Sequence, residues 1–264
     1  MNSSLSILIV VKDAREGLYK TLQSIRKNSK ELLHANAEIV IIDGLSTDGS
    51  WSLATKTQQI TGIKTTFYQQ PPLGIYPAMN MAQYKSKGNW LIYINAGDIF
   101  HDCKNLGETL EKAGKKAIQF KSAIKRPEGR GAYVKAGQWD SCHQALIYKK
   151  ECHKEFGDYN ETLKICSDSL FIKNFKYSDI EYVDQILSIT QVSPKNASRN
   201  PQLIKKDLNS IHRQQIDHRP WKKPWLTLAT LQIEAATGSS WTVWMKCHLG
   251  RALSKHKKVP IDST

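Results

Sequence analysis

Hydrophobic positions along the first hundred residues switch between two periods, and each period predicts an element. LSILIVV (5–11) is short, branched and continuously apolar, the pattern of a buried strand. EGLYKTLQSIRK (16–27) follows with Leu18, Leu22 and Ile25 at helical spacing. AEIVIIDG (37–44) predicts a second buried strand. TDGSWSLATKTQ (47–58) predicts a helix capped by Thr47-Asp48. IKTTFYQQ (63–70) reads as a third, more exposed strand, GIYPAMNMAQYKSK (74–87) as a helix, and NWLIYINAGD (89–98) as a fourth strand. Strands and helices that alternate in this way predict an α/β fold with a parallel sheet and helices on both faces.

Beyond residue 105 the pattern is less regular. KAIQFKSAI (116–124) predicts a strand and EGRGAYVKAG (128–137) a loop or hairpin. SCHQALIYKKECHKEFG (141–157) predicts a strand followed by a short helix. SDSLFIKNFK (167–176) predicts a helix with Leu170, Phe171 and Phe175 inward. DIEYVDQILSITQV (179–192) predicts one or two strands. NPQLIKKDLNSIHRQQI (200–216) predicts a helix with Leu203, Ile204, Leu208 and Ile211 on one face. The expected division is a domain over 1–200, with halves at about 1–100 and 101–200, and a helical basic extension over 201–264.

Composition narrows the chemistry only a little. The 264 residues carry 38 Lys and Arg against 24 Asp and Glu, a net charge of +14. That excess suits a polyanion, an anionic membrane surface or a phosphate-bearing small substrate. It does not by itself argue for nucleic acid, since no recognition motif or aromatic stacking platform accompanies it. Five cysteines without a Cys-x-x-Cys argue against a disulfide framework and for a cytoplasmic location. Cys142, His143, Cys152 and His153 match no common zinc spacing, so scattered buried thiols are expected. The apolar run at 6–11 is too short for a secretory signal and is followed at once by Lys12 and Asp13. No apolar run reaches the roughly 18 residues of a membrane-spanning helix.

Three acids fall at or just beyond the ends of predicted strands: Asp13, Asp43 and Asp98. Ligands of open α/β sheets bind at the carboxyl ends of the strands. One acid there is a turn residue, but three on one edge suggest a site for a divalent metal and a phosphate-containing ligand. Mg²⁺ or Mn²⁺ takes oxygen ligands and commonly shares its shell with substrate phosphates. Ala96 and Gly97 are small enough for a diphosphate to approach the backbone. No P-loop, Gly-x-Gly-x-x-Gly or Gly-x-Ser-x-Gly motif is present, which disfavours P-loop nucleotide hydrolases, ordinary dinucleotide enzymes and α/β-hydrolases.

The ordered set SILIVVKDAREGLYKTLQSI, AEIVIIDGLSTDGS, GIYPAMNMA and GNWLIYINAGDIF resembles the family 2 glycosyltransferases. With CHQALIYKK and ICSDSLF it is most similar to the branch that builds bacterial colanic acid, capsule and O-antigen. The resemblance covers roughly residues 5–200. It implies a GT-A fold, a nucleotide-sugar donor, inversion at the anomeric carbon and a saccharide or lipid-linked saccharide acceptor. It also implies roles for particular residues. Val11, Asp13 and Asp43 line the nucleotide pocket, with Asp43 on the base. Asn95-Ala96-Gly97-Asp98 takes the place of the family's Asp-x-Asp motif, with Asp98 as the metal ligand. Asn80 belongs to the donor side, and Arg199 to a loop near the diphosphate. His143 and Gln144 lie near the acceptor, and Asp168 is the base.

The chain also departs from the branch pattern. Pro72 and Pro77 replace acids and Met81 replaces a lysine, while Tyr76, Met79 and Asn80 are kept. The lost acids motivate an alternative reading, a degenerate GT-A module that binds nucleotide-sugar or a partner without turnover. Residues 220–258 differ from the rest, with seven Lys or Arg, one acid (Glu234) and four of the seven Trp: Trp221, Trp225, Trp241 and Trp244. Trp favours the membrane interface and Lys favours anionic lipid. The tail therefore reads either as a peripheral anchor on the cytoplasmic face of an inner membrane or as a helix packed on the domain.

Overall fold

Strand β1 (Leu5–Val11) lies between β2 (Glu38–Asp43) and β4 (Trp90–Tyr93), parallel to both, and β3 (Thr65–Gln69) extends the parallel set beyond β2. All seven residues of β1 are buried, as expected for a strand covered on both faces. Leu5, Ile7, Ile9 and Val11 face helices α1 (Arg15–Lys27) and α2 (Ser29–His34), meeting Leu18, Leu22, Ile25 and Leu32. Leu8 and Val10 point the other way, toward Tyr76, Met79 and Ala82 of α5 (Ile75–Lys85). The structure is a computed structural model and describes residues 4–125, 132–135, 143–191, 200–213 and 258–259.

The expected helix at 47–58 is two short helices, α3 (Ser50–Ala54) and α4 (Thr57–Thr61). Thr55 Oγ1 donates to the Ser52 carbonyl at 3.0 Å, a local bond that competes with helix continuation. The N-cap of α3 is Gly49, not the expected Thr47-Asp48 pair. Asp48 just before it instead links two helix starts, one oxygen taking the Ser50 N–H at 2.9 Å and the other the Arg15 N–H at 2.8 Å. Pro77 does not break α5. It sits in the first turn, where backbone N–H groups have no intrahelical partner.

The second half of the sheet is largely antiparallel. Strand β8 (Leu146–Lys149) runs antiparallel to β4 and to β6 (Ala117–Lys125). Strand β6 also pairs antiparallel with β7 (Ala132–Lys135) and parallel with β9 (Ile180–Gln191), and β9 carries the short β5 (Ile99–Phe100). The short β10 (Lys258–Val259) closes the β7 edge. Helices α6 (Leu106–Lys112), α7 (Cys152–Phe156) and α8 (Ser167–Ile172) complete this half. The result is the expected fold class, an α/β GT-A-like sheet flanked by helices, with the continuous parallel set β3-β2-β1-β4 in the first hundred residues and one further parallel pair, β6 and β9, in the second half.

Helix α9 (Pro201–Arg213) packs on the body of the domain, with Ile204 and Ile211 buried. Cys103, Cys152 and Cys166 are free, buried thiols. Among the described residues no helix is long and apolar enough to cross a membrane. Arg199, Cys142 and the Trp-rich stretch over 214–257 lie outside the described residues.

Candidate active site

The carboxyl ends of the parallel strands gather one group of the expected residues. Val11 is level with Asp43, and Asp43 with Gln69, in the register of β1, β2 and β3. Asp43 is fully buried, with Oδ2 accepting the Ser46 N–H at 2.9 Å and Gln69 Nε2 at 3.0 Å. Its Oδ1 has no partner. A buried carboxylate oxygen left open is costly unless a ligand donates to it. Asp13 stands at the exposed rim in a left-handed conformation, φ 46°. Its Oδ1 accepts the Thr47 N–H at 2.8 Å and its own N–H reaches Ser46 Oγ at 2.9 Å, which clasps the β1 loop to the β2 loop. The adjoining Lys12 ammonium and the Thr47 N–H hold its carboxyl below the ordinary range.

The Asn95–Asp98 turn is locked from below by α1. Thr21 Oγ1 accepts the Gly97 N–H at 3.0 Å and donates to the Asp98 carbonyl at 2.7 Å. Gly97 has φ 109°, a conformation that side chains resist. Gly17 lets the helix approach: a Cβ there would meet the Ala96 and Gly97 backbone at 3.1 Å. Asp98 is 5% exposed, and burial pushes its carboxyl up to about 6. The charge of His143, the Gln191 and Asn95 main chain and the Gln144 side chain pull the other way. Asn95 Oδ1 is buried and unpartnered.

The second group forms around Asp168 at the start of α8. His143 Nδ1 lies 2.8 Å from Asp168 Oδ2, and Tyr76 Oη donates to Oδ1 at 3.0 Å. The Ser169 N–H also donates to Oδ1, at 2.8 Å. Burial raises the Asp168 pKa, but His143, the Ser169 N–H and Tyr76 outweigh it and hold the carboxyl below its ordinary value. Burial, and then the Asp168 charge, push the Tyr76 phenol far up. The Asp168 side chain keeps 23% of its surface exposed, whereas His143 Nε2 is buried and unpartnered. Asp168 therefore has the surface that a substrate can reach, and His143 and Tyr76 hold it.

The expected residues thus fall into linked sets. Val11, Asp13 and Asp43 share one edge, and Gln144 and the charge of His143 tie Asp98 to the Asp168 cluster. Asn80 stands apart from both. Its amide is consumed by the 157–163 loop, donating to the Tyr159 carbonyl at 2.9 Å and Glu161 Oε1 at 2.9 Å while Oδ1 takes the Tyr159 N–H at 3.0 Å. In this arrangement it fixes that loop instead of facing a donor. Sequence reading did not single out Gln69, Thr21 or the hydroxyl role of Tyr76. Only Gln69 left a signal, as the residue that ends β3 level with Asp43.

Solved structures share this fold. TarS of S. aureus, residues 1–349 in complex with UDP, superposes with TM-score 0.57 at 16% identity, covering 96% of this chain and 75% of that one. The mannosyltransferase PcManGT of Pyrobaculum calidifontis, in complex with GDP-Man and Mn²⁺, gives TM-score 0.61 at 13% identity, covering 95% and 76%. Among curated proteins, PGL/p-HBAD biosynthesis glycosyltransferases of Mycobacterium bovis and Mycobacterium tuberculosis are 24% identical over 143 residues, 50% of this chain and 55% of theirs. The chain thus matches about half the length of those relatives. The model of Glycosyl transferase family 2 matches residues 6–176, more than half of the chain, with β1 from Ser6 onward, the Asn95–Asp98 turn and Asp168 inside the match. The chain belongs to glycosyl transferase family 2.

Proposed function

We propose that the protein is an inverting, metal-dependent glycosyltransferase that moves a sugar from a nucleotide-sugar to a growing bacterial surface polysaccharide, on a lipid-linked acceptor at the cytoplasmic face of a membrane. The observation that carries the reading is a buried, open Asp43 oxygen at the end of β2, together with an Asp98 turn that His143 and Gln144 link to a partly accessible Asp168. Asp43 Oδ1 offers an acceptor to a nucleobase N–H, with Gln69 and Ser46 fixing the carboxylate. The Asp98 turn faces the diphosphate.

The residues present fit a divalent ion only in part. Asp98 and Asn95 Oδ1 supply two oxygen donors, and among the described residues no group of three His, Cys, Asp or Glu side chains is placed to hold a metal ion. Mn²⁺ or Mg²⁺ held there would draw the rest of its shell from the diphosphate and offset the charge of the leaving group. Asp168 takes the proton of the acceptor hydroxyl while that oxygen bonds to the anomeric carbon. The bond from the anomeric carbon to the diphosphate oxygen breaks on the opposite face, and the nucleoside diphosphate leaves with the electron pair. His143 and Tyr76 keep the Asp168 carboxylate aimed and ionised before the proton arrives.

The test is release of nucleoside diphosphate from UDP-, GDP-, dTDP- and CDP-sugars, with Mn²⁺ and a bacterial lipid-linked saccharide extract. Release by the wild type that Asp168→Asn and Asp98→Ala abolish supports the reading. Nucleotide binding without release from any donor points instead to the degenerate module.

A further inference from the structure

Helix α8 begins without a side-chain cap. Its approach, Lys164–Cys166, presents three successive backbone N–H groups that need acceptors, and one carboxylate takes all three. Asp207, on α9, accepts the Lys164 N–H at 3.0 Å on Oδ1 and at 2.9 Å on Oδ2. Its Oδ2 also accepts the Ile165 N–H at 2.7 Å and the Cys166 N–H at 3.1 Å. The residue is 2% exposed. A buried charge is tolerated where such donors surround it, and successive N–H groups form a nest for an anion.

The position of this nest gives it a consequence for chemistry. Cys166 is the residue from which α8 starts, and Asp168 follows two residues later. The orientation of the Asp168 carboxylate toward His143 and Tyr76 depends on where that start is held. The 157–166 segment is pinned elsewhere too: Asn80 bonds Tyr159 and Glu161, Gln83 Nε2 donates to Asp158 at 3.0 Å, and the Asn160 N–H reaches Ser167 Oγ at 2.6 Å. Those anchors come from α5 and from α8 itself. Asp207 is the anchor from α9, a helix that begins after the family match ends at residue 176.

We propose that Asp207 is a positioning residue for Asp168, so that α9 is a working part of the active site and not an appendage to it. An amide in place of the carboxylate keeps the shape and can keep one oxygen at the Oδ2 position, but it removes the charge and sets an NH₂ against the Lys164 N–H at the Oδ1 position, which shifts the start of α8. The inference rests on Asp168 being the base, so the experiment carries a readout that does not need turnover. Full-length wild type, Asp207→Asn and Ile211→Ala are compared. Ile211 is an apolar core residue of the same helix and loosens α9 without removing the nest.

Two quantities are read: the ¹⁵N resonances of His143, which report its bond to Asp168, and kcat and KM with UDP-N-acetylglucosamine or GDP-mannose, whichever the wild type turns over. The expected result for Asp207→Asn is a changed His143 resonance and a kcat lowered at least tenfold at unchanged donor KM. Ile211→Ala is expected to lower the melting temperature with the His143 signal and kcat retained. An unmoved His143 resonance in Asp207→Asn overturns the proposal whether or not the wild type transfers sugar. Equal losses of kcat in the two variants, in step with melting temperature, also overturn it. A moved resonance in a protein that turns over neither donor upholds the positioning and sinks only the assignment of Asp168 as base. If Asp207→Asn does not fold, Asp207→Ser, which keeps one acceptor oxygen, is judged by the same outcomes.

Discussion

The two halves of the sheet hold their site residues by different means. In the parallel half, Asp43 is fixed by Ser46 three residues along and by Gln69 on the next strand, and the Asp98 turn rests on the helix that follows β1. The geometry follows from strand ends meeting at one edge. In the antiparallel half, Asp168 depends on Tyr76 from 92 positions earlier, His143 from 25 positions earlier and, through the helix start, Asp207 from α9. A site at strand ends comes with the fold, whereas a site at a helix start has to be assembled from several distant segments. The Asp43 pocket should therefore tolerate changes in the second half, and the Asp168 side should fail first.

The largest expected effect is on the acceptor side. Asp168→Asn should lower kcat by roughly 10²–10⁴, the range for losing a general base. The nucleotide-induced rise in melting temperature should stay intact. If nucleotide binding is lost as well, the two halves are not separable.

Next is a stability effect confined to the second half. Burial holds His153 of α7 neutral, with its pKa drawn from 6.5 to about 4. The unfolded chain takes up a proton in that window that the folded chain refuses, so stability falls as pH drops from 6.5 toward 4. The loss is on the order of 3 kcal/mol across the window. His153→Phe should flatten the dependence, measured as denaturation midpoint against pH. An unchanged slope would place the acid sensitivity elsewhere.

Asp43→Ala is expected to raise donor KM by about tenfold or more, the loss of a charge-assisted hydrogen bond of roughly 1.5–3 kcal/mol, with kcat little changed. A fall in kcat at constant KM would remove Asp43 from the donor pocket. Smallest is Tyr76→Phe, which deletes one of three donors to Asp168. A net hydrogen bond of about 1 kcal/mol corresponds to a loss of several-fold in kcat, with the acidic limb of the rate–pH profile moved upward as the carboxylate loses support.

The same contrast explains what could be read from the sequence. The continuous apolar runs of β1, β2 and β4 and the acids that follow them locate the sheet edge, because a buried parallel strand and its terminus are local patterns. Asp168 could be placed only through the family resemblance, and its link to His143 and Tyr76 depends on a topology that no window of sequence contains. The helix expected at 47–58 divides at Thr55-Lys56, where the Thr55 hydroxyl bonds the Ser52 carbonyl, a local feature that periodicity does not weigh. Asn80 shows a related limit. A conspicuous polar residue on an apolar helix face can bind a ligand or tie a loop, and only the bonds to Tyr159 and Glu161 distinguish the two.

The central claim is that the strand edge binds a nucleoside diphosphate with a divalent ion at Asp98. The most direct measurement is the melting temperature of the full chain with UDP, GDP, dTDP and CDP, each with and without Mn²⁺. A ligand present at about 100 times its Kd should stabilise the fold by roughly 2.7 kcal/mol. The expected result is a Mn²⁺-dependent rise with one nucleotide, lost in Asp98→Ala. A rise that persists without metal and in Asp98→Ala, or no rise with any nucleotide, would contradict it.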